Sequence, residues 1–154
     1  MHYLMNFKKI SFSFIYGIQF AIIGLLIGLV VNKLNDSHNN FYIYSSLAGF
    51  LTAWLFSIIF IERKKNFDIH RLVGVAILVG IFSHLLCWYL FAIDLNFRYW
   101  ILNESNLDEP PNLLEYIVYV FGPTFFSLLF FGFVTVFGSI VTILFTRMIK
   151  IGID

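Results

Sequence analysis

The sequence predicts an all-α integral membrane protein, a bundle of four transmembrane helices. Three observations predict it: four long stretches without Asp, Glu, Lys or Arg, an uneven distribution of basic residues among the connections, and an apolar composition. The stretches cover residues 11–31, 41–61, 72–93 and 123–146. At about 1.5 Å per residue, even the shortest spans roughly 31 Å, the thickness of a bilayer's hydrocarbon core. Residues 1–154 are therefore expected to form a single transmembrane domain.

The composition indicates that lipid, rather than water, surrounds this chain. Apolar residues make up 60% of it and charged residues only 12%, which is about half of the usual share in soluble domains. The net charge of +1 gives no electrostatic case for nucleic acid binding. The chain has one cysteine, which excludes an internal disulfide, and no cofactor is expected.

The ten lysines and arginines predict how the chain is threaded. Eight of them lie in the N-terminal tail, in the connection at 62–71 and in the C-terminal tail. The other two are Lys33, in the first connection, and Arg98, in the third. The positive-inside rule then places both termini in the cytoplasm and the connection at about 94–112 on the outer side. We expect a multi-pass protein of the cell (inner) membrane, with the lipid bilayer as its surroundings.

Each span carries small or hydroxylic residues on one face, at intervals of three or four residues. Such a face lets two helix backbones approach closely, which matters in lipid because burying apolar surface there gains nothing. We expect the four faces to turn inward, and the alternative for the Gly24–Gly28 GxxxG motif is homodimerisation. The faces consist of Gly17, Ala21, Gly24 and Gly28; Ser45, Gly49, Ala53 and Ser57; Ala76, Gly80, Ser83 and Cys87; and Gly132, Thr135, Ser139, Thr142 and Thr146.

The connections predict how the spans follow one another. The first, at residues 32–40, is short and rich in Asn, which suits a tight turn between antiparallel helices. Arg98 and its aromatic neighbours follow the third span and are typical of the membrane interface; Arg98 would pair with Asp94 if that helix continued. Asn112 predicts a helix N-cap, and the Pro123 that opens the fourth span predicts a kink or break in the helix there.

His84 is the strongest candidate for chemistry within the membrane. It is the only ionisable side chain of the Asp, Glu, Lys, Arg and His set near the centre of a span, and such residues often mark proton or ion paths. The alternative is structural: a neutral imidazole hydrogen-bonded to Ser127 or Thr135 of the fourth span. Gln19, the only amide within a span, is expected to hydrogen-bond across the bundle interior.

Other kinds of site find no support in the sequence. The four histidines fall at different membrane levels under this topology, so no metal site is expected. There is no phosphate-binding loop and no hydrolase or metalloprotease motif. The outer carboxylates have no spacing that fits a mechanism, and we expect a solvated loop; they are Asp94, Glu104, Asp108, Glu109 and Glu115.

The leading hypothesis for function is non-catalytic. The protein would act by helix–helix contact with itself or another membrane protein, as an immunity protein or an accessory subunit does. Immunity proteins against pore-forming bacteriocins resemble this chain in architecture alone, as four-span proteins with both termini inside. One alternative is a small transporter or channel subunit that uses His84 and Gln19. The other is a lipid-modifying membrane enzyme that uses the outer carboxylates.

Overall fold

The computed structural model describes residues 11–34, 40–65, 67–103 and 112–151, and every regular element in these ranges is helical. The elements are α1 (Phe12–Leu34), α2 (Phe41–Ser57), a π-helical turn (Ile58–Glu62), α3 (Ile69–Trp100), α4 (Leu113–Tyr119) and α5 (Phe121–Ile151). Several residues of the sequence predictions lie outside the described ranges: His2, Lys8, Lys9, His38, Glu104, Asp108 and Glu109.

Four helical segments are long and apolar enough to cross a membrane, which confirms the all-α class and the predicted number of such helices. Between 22% and 44% of the most apolar window of each is buried inside the bundle, so most of their apolar surface faces outward. An outward-facing apolar surface fits a chain whose backbone polar groups are paired within helices and whose side chains meet lipid. The segments are Phe12–Leu34, Phe41–Glu62, Ile69–Trp100 and Leu114–Lys150.

The third long helix, α3, begins before and ends after the predicted span at 72–93. Asp68 caps its first turn, since a side-chain oxygen accepts a hydrogen bond from the His70 backbone N–H at 3.2 Å. At the other end the helix continues through Asp94, which places the charged atoms of Asp94 and Arg98 3.9 Å apart. The helix therefore continues past the predicted end of the apolar span, as pairing of Asp94 with Arg98 requires, and the outer position of the connection at 94–112 stays a prediction.

The break predicted before the fourth span is present at Val120, between α4 and α5. Asn112 caps α4, because its side-chain oxygen accepts hydrogen bonds from the backbone N–H groups of Leu114 at 3.1 Å and Glu115 at 3.0 Å. This confirms the predicted N-cap. Pro123 lies in the first turn of α5, where its missing N–H breaks no intrahelical hydrogen bond.

Two buried clusters hold the bundle together, one at each end. The first joins α1, α2, α3 and α5 around Tyr16 and Phe20, and the second joins α2 to α3 around Phe41 and Cys87. Helices that follow each other in the chain pack side by side, and α5 packs on α3 and, less extensively, on α1. The result is a closed bundle at the first cluster and a looser one at the second.

Glu62 links the π-helical turn to the start of α1. Its Oε1 atom accepts a hydrogen bond from the Ser13 backbone N–H at 3.1 Å. A carboxylate at a helix N-terminus satisfies one of the free N–H groups and interacts favourably with the helix dipole. The sequence pattern groups Glu62 with the basic connection and does not predict this contact.

Candidate functional site

His84 lies on α3 with its side chain buried against α5. Its Nδ1 atom is hydrogen-bonded to Ser127 Oγ, and its Nε2 atom lies 2.9 Å from Thr135 Oγ1. The two residues are eight positions apart on α5, and a single imidazole bridges their hydroxyls. The hydrogen bonds expected for a structural His84 are thus both present.

The Thr135 hydroxyl has both backbone carbonyl oxygens and the imidazole within hydrogen-bond distance. Its Oγ1 atom lies 3.0 Å from the Gly132 carbonyl oxygen, 3.2 Å from the Phe131 carbonyl oxygen and 2.9 Å from His84 Nε2. A hydroxyl has a single proton. When Thr135 donates it to a carbonyl oxygen, a protonated Nε2 donates to Thr135; when Thr135 donates it to Nε2, the protonated nitrogen is Nδ1. The contacts fit either neutral tautomer, and both nitrogens have partners within the bundle.

Two further polar contacts join α1 to α5. Gln19 Oε1 accepts a hydrogen bond from Thr146 Oγ1 at 2.8 Å, so Gln19 bonds across the bundle as predicted. Tyr16 is fully buried, and its hydroxyl lies 2.5 Å from Ser139 Oγ. No sequence pattern predicts a role for Tyr16, which is distinguished only by its place directly before the small residue Gly17. Neither contact involves His84.

The small-residue face of α1 is covered by α2. A Cβ atom added at Gly24 would collide with the Ser45 carbonyl oxygen, and one added at Gly28 would collide with Ser45 Oγ. At Gly17 an added Cβ would lie 3.1 Å from the Phe50 ring. Because α2 occupies this face, the GxxxG motif serves packing within the chain rather than homodimerisation.

The matching face of α2 receives α1 in return. A Cβ atom added at Gly49 would lie 3.0 Å from the Phe20 carbonyl oxygen, and Ala21 of α1 is half-buried. Ala53 and Ser57 are buried, and the Ser57 hydroxyl donates to the Ala53 carbonyl oxygen at 2.5 Å. Close backbone approach therefore extends along most of the α1–α2 pair.

The face of α3 meets α5 at Gly80. A Cβ atom added there would lie 2.8 Å from Val136 Cα, so the two backbones are in contact. Ala76, one turn earlier, is fully buried. The Ser83 hydroxyl donates to the Gly80 carbonyl oxygen at 3.0 Å and needs no partner on another helix.

On α5 the close approach occurs at a glycine that the sequence analysis did not select. The heavy atoms nearest to an added Cβ at Gly132 belong to Leu128 of the same helix, at 3.4 Å. At Gly138 an added Cβ would lie 2.9 Å from Ile23 Cδ1 of α1. Both glycines lie in the apolar run of α5, but only Gly138 is on the side of α5 that contacts α1.

The remaining candidates do not assemble into a site among the residues that the structure describes. Asp94 pairs with Arg98, and Glu115 lies in the first turn of α4. Within the described ranges, no three His, Cys, Asp or Glu side chains come together to hold a metal ion. The absence of a cofactor remains a prediction.

A cavity of about 340 Å³ lies beside the His84 cluster and is lined by all four long helices. Its walls include Ile27 and Val31 of α1, Phe41 and Ser45 of α2, Trp88 of α3, and Phe126 and Phe130 of α5. Small-molecule sites commonly have volumes of roughly 300–1,000 Å³, so the space is large enough for a ligand.

Comparison of the chain with protein-family models, curated proteins and solved structures finds no match. Function is therefore inferred from the bundle and its surfaces.

Proposed function

We propose that the chain is a non-catalytic, multi-pass protein of the cell (inner) membrane that acts through contact with another copy of itself or another membrane protein. An immunity protein or an accessory subunit would be one instance. The observation that carries the proposal is an aromatic ridge on the exposed side of α5. It consists of Leu129, Phe133 and Phe137, which follow one another at steps of four residues and share one side of the helix.

The aromatic ridge is strongly exposed. Its members are between 60% and 84% exposed, and the rings of Phe133 and Phe137 stack with their centroids 6.2 Å apart. Residues four apart form the ridges that pack into grooves of a facing helix. The exposed side of α1, by contrast, carries aliphatic residues such as Ile22 and Leu26.

Aromatic contact favours a protein partner over lipid. Lipid chains are as apolar as side chains, so helix association in a membrane depends on packing and on specific contacts. Aromatic pairs contribute about 0.5–1.5 kcal/mol beyond the burial of area, which an acyl chain does not match. His84 and Gln19 are both hydrogen-bonded to hydroxyls of α5, which supports a structural and non-catalytic role for them. A transport path through His84 and Gln19 remains an alternative prediction.

Cysteine cross-linking in native membranes tests this proposal. In a Cys87→Ser background, Phe133→Cys is expected to give one discrete cross-linked product. A bifunctional thiol reagent would give a dimer if the partner is a second copy. A photoactivatable maleimide would give a larger adduct if the partner is another protein. Leu26→Cys is the matched control, because Leu26 is 59% exposed on α1 and lies outside the ridge. Equal labelling at both positions, or no discrete product at Phe133, would show that the ridge faces only lipid.

We also propose that both termini lie in the cytoplasm. Six described cations lie in the segment after α2 or in the last turns of α5: Arg63, Lys64, Lys65, Arg71, Arg147 and Lys150. The positive-inside rule places this end inside. A phosphatase that is active only outside the cytoplasm is expected to be active when fused after Asn106 and inactive when fused after Asp154. The reverse pattern would invert the orientation.

A further inference from the structure

The cavity beside His84 occupies one end of the bundle, toward the connection between α1 and α2. On α5 its lining runs from Pro123 to Thr135, which is roughly 18 Å along a helix. Half of a bilayer's hydrocarbon core is roughly 15 Å thick. For a bundle that spans the bilayer, the cavity therefore has about the length of one leaflet and corresponds to the leaflet on the side of the α1–α2 connection.

The cavity faces the bilayer between α1 and α5. Three of the contacts that join these helices use the first half of α1: Tyr16 with Ser139, Gln19 with Thr146, and Ile23 with Gly138. At the other end, Phe126 and Phe130 line the cavity and are nevertheless 62% and 76% exposed. Residues that both line a cavity and face outward mark its opening.

The walls of the cavity suit an uncharged, flexible hydrocarbon. No Asp, Glu, Lys or Arg is among the described residues that line it. Its polar groups already have partners: Ser45 Oγ donates to the Gly24 carbonyl oxygen at 2.7 Å, and His84 bonds to Ser127 and Thr135. A ligand is not needed to satisfy them, so the walls offer mainly dispersion contacts.

We propose that a phospholipid of the leaflet on the side of the α1–α2 connection inserts one acyl chain between α1 and α5 into this cavity. The headgroup stays at the membrane surface, because the lining offers no counter-charge. The chain fills a space that the close-packed interior of a helix bundle would not leave empty. This site is separate from the aromatic ridge, so either proposal can fail without the other.

Quenching of Trp88 by brominated lipid tests the proposal, because Trp88 lines the cavity. The protein carries Trp54→Phe and Trp100→Phe, which leave Trp88 as the single tryptophan. It is reconstituted in phosphatidylcholine vesicles with or without bromine at mid-chain. We expect marked quenching in the brominated vesicles. Emission that is the same in the two kinds of vesicle would overturn the proposal.

A cavity-filling substitution and a matched control locate the quencher. Ile27→Phe places a ring inside the cavity and is expected to reduce the quenching by about half or more, since two groups cannot share one space. Ile22→Phe makes the same change on the lipid-facing side of α1 and is expected to leave the quenching unchanged. Equal quenching in the two variants would place the bromine outside the cavity.

A second filling variant and a mass measurement guard against misfolding of Ile27→Phe. Cys87→Met enlarges a side chain on the α3 wall and is expected to reduce the quenching in the same direction. Native mass spectrometry of the purified protein is expected to show one retained phospholipid, which both filling variants lose and Ile22→Phe keeps. Retention of the phospholipid by helical, monodisperse filling variants would overturn the proposal.

Discussion

Replacing Gly24 by alanine is expected to lower the free energy of unfolding by about 1–3 kcal/mol, as overpacking of a close contact does. The added Cβ would collide with the Ser45 carbonyl oxygen, a backbone atom that cannot move away by a change of rotamer. Relief requires α1 and α2 to separate, which also breaks the 2.7 Å hydrogen bond from Ser45 Oγ to the Gly24 carbonyl oxygen. Reversible unfolding in bicelles measures the loss.

Gly74→Ala is the matched control for Gly24→Ala. No heavy atom of the described chain, apart from its own helix backbone and chain neighbours, lies within 4 Å of a Cβ built at Gly74. Alanine is favoured over glycine within a helix by up to about 1 kcal/mol, so this variant is expected to be neutral or stabilised. If both variants unfold with equal ease, helix propensity rather than close approach governs Gly24.

The sequence predicts the bounds of the apolar helices more reliably than it predicts which helices pack against each other. A charge-free run of apolar residues can be identified from consecutive residues alone. For this reason α1 and α2 begin close to the predicted boundaries. The partner of a small-residue face depends on the rotation of each helix in the bundle. Gly132 and Gly138 are glycines of the same apolar run, yet a Cβ atom added at Gly138 alone would meet a residue of another helix.

Helix ends are predictable where a polar side chain is the cause. Asn112 has the pattern of an N-cap and acts as one. Glu62 caps α1 although it lies more than forty residues further along the chain. Because the two ends of this contact are so far apart in sequence, no local pattern predicts it. Hydropathy alone does not predict the end of α3 at Trp100, because the apolar run stops at Asp94 and the helix continues where an Asp94–Arg98 pair supports the next turn.

The polar cluster on α3 and α5 was predicted from the sequence because the lone His84 needs partners in lipid and hydroxyls were available at its depth. The cavity beside it was not predicted. It lies beyond the part of α1 where contacts such as Tyr16–Ser139 join α5, and such contacts pair residues that are far apart in the chain. A residue such as Ile27 looks the same in sequence whether it faces lipid or lines a cavity.

Replacing His84 by leucine is expected to lower the free energy of unfolding by about 0.5–1.5 kcal/mol, because the half-buried Ser127 hydroxyl then lacks its partner. Thr135 keeps its bond to the Gly132 carbonyl oxygen and contributes less to the loss. A double-mutant cycle with Ser127→Ala is expected to give a coupling of about 0.6 kcal/mol, the average for intramembrane hydrogen bonds. His70→Leu, on the exposed first turn of α3, is the control.

The fixed position of the His84 ring separates a structural role from a transport role. A proton carrier must exchange its proton between two sides, whereas this imidazole is held between Ser127 and Thr135. Nitrogen-15 spectra of histidine-labelled protein in bicelles are expected to show one neutral tautomer, because each ring nitrogen has a hydroxyl partner. Solute and proton flux in His84→Leu vesicles is expected to be unchanged. Exchange between the two tautomers, together with altered flux, would favour a path through the bundle instead.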